Sequence, residues 1–306
     1  MHLLKAEDIQ ELIGHTPILH LKNICEGPAA EIWAKIETYN PGGSIKDRTA
    51  VGLIQDAEAK RRLTPGGTII EPTAGNTGVG LALIGVKRGY RVILIVPEGY
   101  SQEKMTLMRA LGGEVVTTPR PEGMEAAIRK AFELARDIPG SYVPQQFENP
   151  ANPEIHYKTT GPEIFQQMGG AIDAISIGAG TGGTFTGVAR YLKEKIPYLH
   201  AAVVEPEGSI FAGGKPGPHK VEGIGNSFIP KTLELALANE VITVADCDSL
   251  ATVKRLAERE GVLAGGSGGA NVFAAIQIAK RLGPRKNVVT IIPDSGERYL
   301  SKNIFG

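Results

Sequence analysis

Cysteine is scarce in this sequence: 306 residues hold only Cys25 and Cys247, far apart and in no CxxC spacing. That pattern supports neither a disulfide framework nor a zinc site, so both are expected to be isolated core thiols and no metal is expected. An excess of charge of one sign is also missing, since 33 Lys and Arg balance 33 Asp and Glu. Nothing is left over to neutralise a phosphate backbone or an anionic lipid surface, so neither nucleic acid nor membrane is an expected partner. No run of about 18 apolar residues occurs. The N-terminus reaches Glu7 and Asp8 too early for a secretory h-region, and a cytoplasmic location is expected. Sequence repeats, heptads and low-complexity tracts are absent.

What is present is core-forming material, with 42% of residues hydrophobic. At roughly 100–200 residues per domain, two domains are expected. Short β-branched runs recur at Thr68–Glu71, Val92–Val96, Ala174–Ile177, Ala202–Glu205 and Val288–Ile292. Bounded by Gly and Pro, they fit strands buried on both faces of a parallel sheet. Helical spacing of apolar positions appears between them, at Thr77–Arg88, Gln102–Leu111, Gly123–Arg136, Pro162–Met168, Thr184–Lys195, Ser249–Glu260 and Ala270–Leu282. The fold class is therefore α/β. The segment Gln146-Phe147-Glu148-Asn149-Pro150-Ala151-Asn152-Pro153 predicts an irregular crossover. It places a domain boundary near 147, giving domains 1–147 and 148–306, with room for part of the first 40 residues to pack on the second.

Four loops carry candidate chemistry. Asn40-Pro41-Gly42-Gly43-Ser44-Ile45-Lys46-Asp47-Arg48 sets one lysine after a proline–glycine turn, ahead of a helix-like stretch from Thr49 to Arg62. Such a lysine is ordinarily a solvated charge, and the Walker A spacing is absent. Gly178-Ala179-Gly180-Thr181-Gly182-Gly183-Thr184 follows a strand and opens a helix, an arrangement of freed amides and hydroxyls that suits a phosphate. It also satisfies G-x-G-x-x-G, with Glu205 standing where a ribose-binding acid would. On this segment alone a dinucleotide, a smaller phosphate and a structural turn stay open. Gly265-Gly266-Ser267-Gly268-Gly269 matches the nucleophile elbow, but no histidine follows Ser267, and a hydrolase triad fails on chain order. The remaining alternatives there are a presented hydroxyl and a helix cap. Glu71-Pro72-Thr73-Ala74-Gly75-Asn76-Thr77-Gly78 offers hydroxyls, an amide and free N–H groups at a helix start, suited to a carboxylate or to a plain cap.

An amine, a phosphate cradle, a serine hydroxyl and a carboxylate pocket together suit pyridoxal phosphate and an amino acid. In order along the chain, NPGGSIKDR, EPTAGNTG, QFENPANP, TTGPEI, GTGGT, EGIG, GGSGG and PDSGERYLS resemble the cysteine synthase and cystathionine β-synthase family of fold-type-II pyridoxal-phosphate enzymes. The resemblance spans essentially the whole chain. It implies two three-layer α/β/α domains with mostly parallel sheets, like the tryptophan synthase β subunit, and pyridoxal 5′-phosphate as cofactor. It makes Lys46 the Schiff-base lysine and catalytic base, Asn76 the partner of the cofactor's 3-hydroxyl, and Gly180, Thr181, Gly182, Gly183 and Thr184 the phosphate loop. Ser267 becomes the partner of the pyridine nitrogen. Thr73, Ala74, Gly75, Thr77 and Gln146 become the α-carboxylate pocket, and Gly225 a residue of the loop facing the cofactor.

The implied reaction is replacement of the β-substituent of O-acetyl-L-serine by sulfide or by homocysteine. Ala74 departs from the serine typical of cysteine synthases. Pro206-Glu207-Gly208-Ser209-Ile210 and Gly265-Gly266-Ser267 look closer to bacterial cystathionine β-synthases that use O-acetylserine. The sequence holds neither a haem-binding extension nor a nucleotide-sensing pair of modules, so adenosyl regulation is not expected. A homodimer is usual for relatives, and serine acetyltransferase is a candidate partner. The rival readings are an NAD-dependent α/β oxidoreductase and a non-catalytic regulatory member of the family.

Overall fold

A computed structural model describes residues 5–73 and 75–305 of the chain. Ala74 lies outside the described residues. The chain divides into two compact units: Met1–Gly14 with Asn40–Ala151, and His15–Tyr39 with Asn152–Gly306.

After Gly14 the chain enters the second unit, with β1 (Ile18–His20) and β2 (Glu31–Ile36). The first unit then runs α1 (Lys46–Ala59), β3 (Thr68–Pro72), α2 (Asn76–Lys87), β4 (Arg91–Pro97), α3 (Gln102–Ala110), β5 (Glu114–Thr118), α4 (Gly123–Asp137) and β6 (Ser141–Tyr142). Its four strands lie in the order β5-β4-β3-β6, all parallel. Successive side chains of a strand face opposite ways. Ile69, Val92, Leu94 and Val96 accordingly pack with α1, α2 and α3, whereas Ile70, Ile93 and Ile95 meet Ala127 and Ala131 of α4. Each such side chain, once buried, contributes about 1.5–3 kcal/mol. This is why β4 reads as an unbroken apolar run after Arg91.

The second unit resumes with α5 (Ala151–Lys158), α6 (Thr160–Gln167), β7 (Ala174–Gly178), α7 (Gly183–Lys195) and β8 (His200–Pro206). It ends with β9 (Glu240–Val244), α8 (Asp246–Glu260), α9 (Gly266–Leu282) and β10 (Asn287–Ile292). Its sheet has the order β1-β2-β10-β7-β8-β9, parallel except for β1. The α/β class with mostly parallel sheets is thus the architecture found. Lys35 of β2 is fully buried. Its ammonium meets the Glu163 carboxylate at 2.7 Å and donates to Thr16 O at 2.6 Å and Gln167 Oε1 at 2.9 Å.

Several local expectations need correction. The helix after the lysine turn opens at Lys46 itself, not at Thr49. The crossover is irregular only as far as Pro150, because α5 begins at Ala151 with Pro153 in its first turn, where a missing N–H costs nothing. Strands β2, β5 and β9 were not among the expected runs. Cys25 is half-buried and Cys247 exposed, so neither is a core thiol; Cys247 sits in the first turn of α8 between Asp246 and Asp248.

Candidate active site

In the first unit, a tight turn delivers Lys46. Gly43 N–H donates to Asn40 O at 2.7 Å, and Asn40 Oδ1 in turn accepts from Gly14 N–H at 2.8 Å. Asp47 closes the turn by accepting Gly42 N–H at 2.5 Å, and Ser44 Oγ accepts Lys46 N–H at 3.2 Å. Lys46, half-buried, therefore starts α1 from a fixed backbone. α1 and α2 approach closely, since a Cβ on Gly80 would stand 3.0 Å from Lys46 O.

The start of α2 gathers the residues expected to form a carboxylate pocket. Thr73 N–H donates to Ile95 O at 2.9 Å, which ties the loop to β4, and Thr73 Oγ1 accepts Gly75 N–H at 3.2 Å. Gly75 is the N-cap, and no protein atom lies within 4 Å of where its side chain would point. Asn76 is the first helical residue. Thr77 Oγ1 donates to Gln146 Oε1 at 2.6 Å, so Gln146 reaches this helix end across 69 residues of sequence. Thr73, Gly75, Asn76, Thr77 and Gln146 thus meet, while Ala74 is outside the described residues.

In the second unit, Gly182 caps α7 in the left-handed conformation (φ 82°) that favours glycine. The first-turn amides beyond it have no intrahelical acceptor. Thr181 and Thr184 are buried and braced from behind. Asn152 Nδ2 donates to Thr181 Oγ1 at 2.9 Å, and His156 Nε2 shares a 3.3 Å hydrogen bond with Thr184 Oγ1 while its Nδ1 meets Thr160 Oγ1 at 2.9 Å. Gly225 (φ 83°) donates its N–H to Ala179 O at 2.8 Å, and Asn226 Nδ2 donates to Gly180 O at 2.5 Å. The 223–226 loop is therefore stitched to the glycine loop. Ser267 opens the first turn of α9, 3% exposed, and its hydroxyl has no hydrogen-bond partner among the described residues. Asn152, His156 and Asn226 were not among the expected site residues; the first two lie in or just past the QFENPANP segment, the only signal that pointed there.

These features fit pyridoxal phosphate. An amide-rich helix start with braced threonines accepts a phosphate, and the Ser267 hydroxyl at a helix start can pair with a polar atom such as a ring nitrogen. They do not fit a dinucleotide. Glu205, which would have to hold a ribose, is 1% exposed and already accepts from Phe211 N–H (2.8 Å), Ala212 N–H (3.0 Å) and Thr243 Oγ1 (3.1 Å). Residues 9–294 match the family model described as pyridoxal-phosphate dependent enzyme. The chain belongs to that family.

Its cofactor is accordingly pyridoxal 5′-phosphate. The chain is 48% identical over 302 residues to a cysteine synthase of Staphylococcus aureus, covering 98% of this chain and 97% of the relative. It is 49% identical over 298 residues to the O-acetylserine dependent cystathionine β-synthase of Bacillus subtilis, covering 97% of both. The crystal structure of the O-acetylserine dependent cystathionine β-synthase from Helicobacter pylori superposes with a TM-score of 0.95 at 46% identity, over 99% of this chain and 100% of that one. Among the described residues, no helix is long and apolar enough to cross a membrane, and no cluster of three or more His, Cys, Asp or Glu could hold a metal ion.

Proposed function

We propose that this enzyme replaces the acetoxy group of O-acetyl-L-serine, which leaves as acetate, by a sulfur nucleophile, giving L-cysteine from sulfide or L-cystathionine from homocysteine. The observation that carries this reading is near-equal identity, 48% and 49%, to two enzymes whose names differ in the nucleophile. When bound, the cofactor supplies an electron-withdrawing ring that acidifies the Cα–H of an attached amino acid. Lys46 would anchor it, and its Nζ would take the proton from Cα and later return it. Asn76 would hold the 3-hydroxyl, and Gly180 to Thr184 the phosphate, with Asn152 and His156 keeping the two threonine hydroxyls in place.

Ser267 would hold the pyridine nitrogen through a neutral hydroxyl. Without a negative charge beside it the ring is a weaker electron acceptor, which suits loss of a good β-leaving group better than transamination. Thr73, Ala74, Gly75, Thr77 and Gln146 would bind the substrate α-carboxylate at the positive end of α2, and Gly225 would present its loop to the cofactor. A cytoplasmic homodimer belongs to the same reading, supported by two unpaired cysteines that suit a reducing compartment. Serine acetyltransferase is its candidate protein partner.

The test supplies O-acetyl-L-serine with either sulfide or homocysteine and identifies the product by mass. Cysteine, cystathionine or both are expected, together with a visible absorption band that borohydride fixes irreversibly in the parent and that Lys46→Ala lacks. A colourless protein indifferent to Lys46→Ala would overturn the reading.

A further inference from the structure

We propose that Glu71 is a positioning residue for the amino-acid subsite: its buried carboxylate sets the orientation of Gln146 and, through it, the geometry of the α-carboxylate pocket. The inference rests on the proposed function, in which Gln146 and Thr77 receive the substrate's α-carboxylate.

Glu71 lies next to the end of β3, two residues before Thr73, and is 1% exposed. Its Oε2 accepts Gln145 N–H at 3.1 Å and its Oε1 accepts Gln146 N–H at 3.3 Å. The Gln146 side chain also hydrogen-bonds to the same carboxylate. Since Gln146 Oε1 accepts from Thr77 Oγ1, the contact with Glu71 must come from the amide nitrogen. One carboxylate therefore decides which way this amide faces. It also directs the Thr77 hydroxyl proton.

The backbone beside it is held in an uncommon state. Gln145 has φ 57°, a left-handed conformation that an L side chain adopts only when its surroundings impose it. Glu148 and Asn149 N–H groups both donate to Gln145 O at 2.9 Å, and Glu71 grips the other side of the same turn. Lengthening or removing the carboxylate grip should let the turn relax and Gln146 move.

Burial without a facing cation pushes the Glu71 carboxyl up to about 7, while the N–H groups of Gln145 and Gln146 oppose that rise. On β6, burial pushes the Tyr142 phenol up to about 12, with smaller effects from Asp56, the Asn149 hydrogen bond, Arg62 and, last, Glu71. On α4 the face toward the sheet is Ala127 and Ala131, and its charged side chains lie outward. On β4 and β5, Arg91 and Glu114 pair at the opposite end of the strands. The protonation state of Glu71 is therefore set locally. Ionised, it accepts three N–H groups; protonated, it loses an acceptor and becomes a donor, which disturbs the amide.

Glu71→Gln keeps the shape and removes the charge. Holoenzyme carrying it should retain the visible cofactor band, bind L-serine about tenfold more weakly as read from the shift of that band, and raise the KM for O-acetyl-L-serine more than it lowers kcat. In a Gln146→Ala background the same substitution should add no further loss. Unchanged L-serine binding, or a fully additive loss in that background, overturns the inference. Should Glu71→Gln lose the band altogether, the parent decides: its L-serine affinity must rise as pH rises through about 7, and a flat profile across neutrality overturns the inference. If the parent's band responds to neither amino acid, the proposed function itself falls, a result distinct from a responsive parent matched by Glu71→Gln.

Discussion

Gly225→Ala tests whether the stitched loops matter as the geometry says. A Cβ at this position would stand 2.6 Å from Cγ and 2.7 Å from Cδ of Pro206, against the 3.4 Å at which ordinary contact begins. The shortfall is 3.4 − 2.6 = 0.8 Å, and a proline ring closed on its own backbone has no flexible end to swing aside. Overpacking of this kind costs about 1–3 kcal/mol, and a left-handed alanine adds about 1 kcal/mol. Displacing the loop instead would strain the Gly225 N–H bond to Ala179 O and the Asn226 bond to Gly180 O. Either way, stability should fall by about 2–4 kcal/mol, and cofactor affinity should weaken at least about tenfold. Urea unfolding midpoints and titration of cofactor into apoenzyme, followed by the visible band, read the two effects. Gly217→Ala is the matched control, because its Cβ would meet only Gly208 Cα at 3.6 Å. The control should be neutral or gain up to about 1 kcal/mol from a stiffer unfolded chain. If Gly225→Ala matches the parent in both assays, or the control loses as much, the steric reasoning is wrong.

Two further outcomes follow from buried charge. Lys35→Met strands the Glu163 carboxylate and should lower stability by about 3–5 kcal/mol; an unchanged unfolding midpoint would count against a structural ion pair there. For Glu71, the carboxyl rises from 4.5 to about 7 on folding. The native state therefore keeps a proton that the unfolded chain has released between those values, so the contribution is fully present below pH 4.5 and is lost as pH rises through about 7. The size is (7 − 4.5) × 1.36, about 3 kcal/mol. The difference in stability between parent and Glu71→Gln, measured along pH, should decline by that order across the window, and a difference that grows with pH would refute it.

The parts of the fold legible in sequence were those where burial is symmetric. β3, β4, β7, β8 and β10 lie inside their sheets, and both faces demand apolar residues, hence runs such as Val288-Val289-Thr290-Ile291-Ile292. β5 and β9 are edge strands with one side to solvent, so Glu114 and Thr117, or Glu240 and Thr243, break the run. β2 was hidden by Lys35, a charge that reads as surface and is buried only because Glu163 meets it from 128 residues away (163 − 35). Within the site, Lys46, the glycine loop and Ser267 announced themselves through turn chemistry. Asn152, His156 and Asn226 brace only the glycine loop, through Thr181, Thr184 and Gly180, and such contacts are set by tertiary packing that no local spacing encodes. Glu71 was in plain view in the Glu71-Pro72-Thr73 stretch, but its partners Gln145 and Gln146 enter 74 and 75 residues later.

The pairing of β2 with β10 also governs how the protein is made. Glu31 and Asn287 are register partners 256 residues apart (287 − 31). At about 5–20 residues per second, β2 leaves the ribosome about 13–50 s before the strand that completes it. Within that interval the whole Asn40–Ala151 segment is synthesised, while one side of β2 presents unpaired N–H and C=O groups to any passing strand. Lys35, the fifth of the six β2 residues, meets its Glu163 partner only after a further 128 residues have been made, and an inward-pointing charge is a deterrent to foreign pairing. The lysine that later pairs with Glu163 thus sits on a strand whose edge stays bare for most of synthesis.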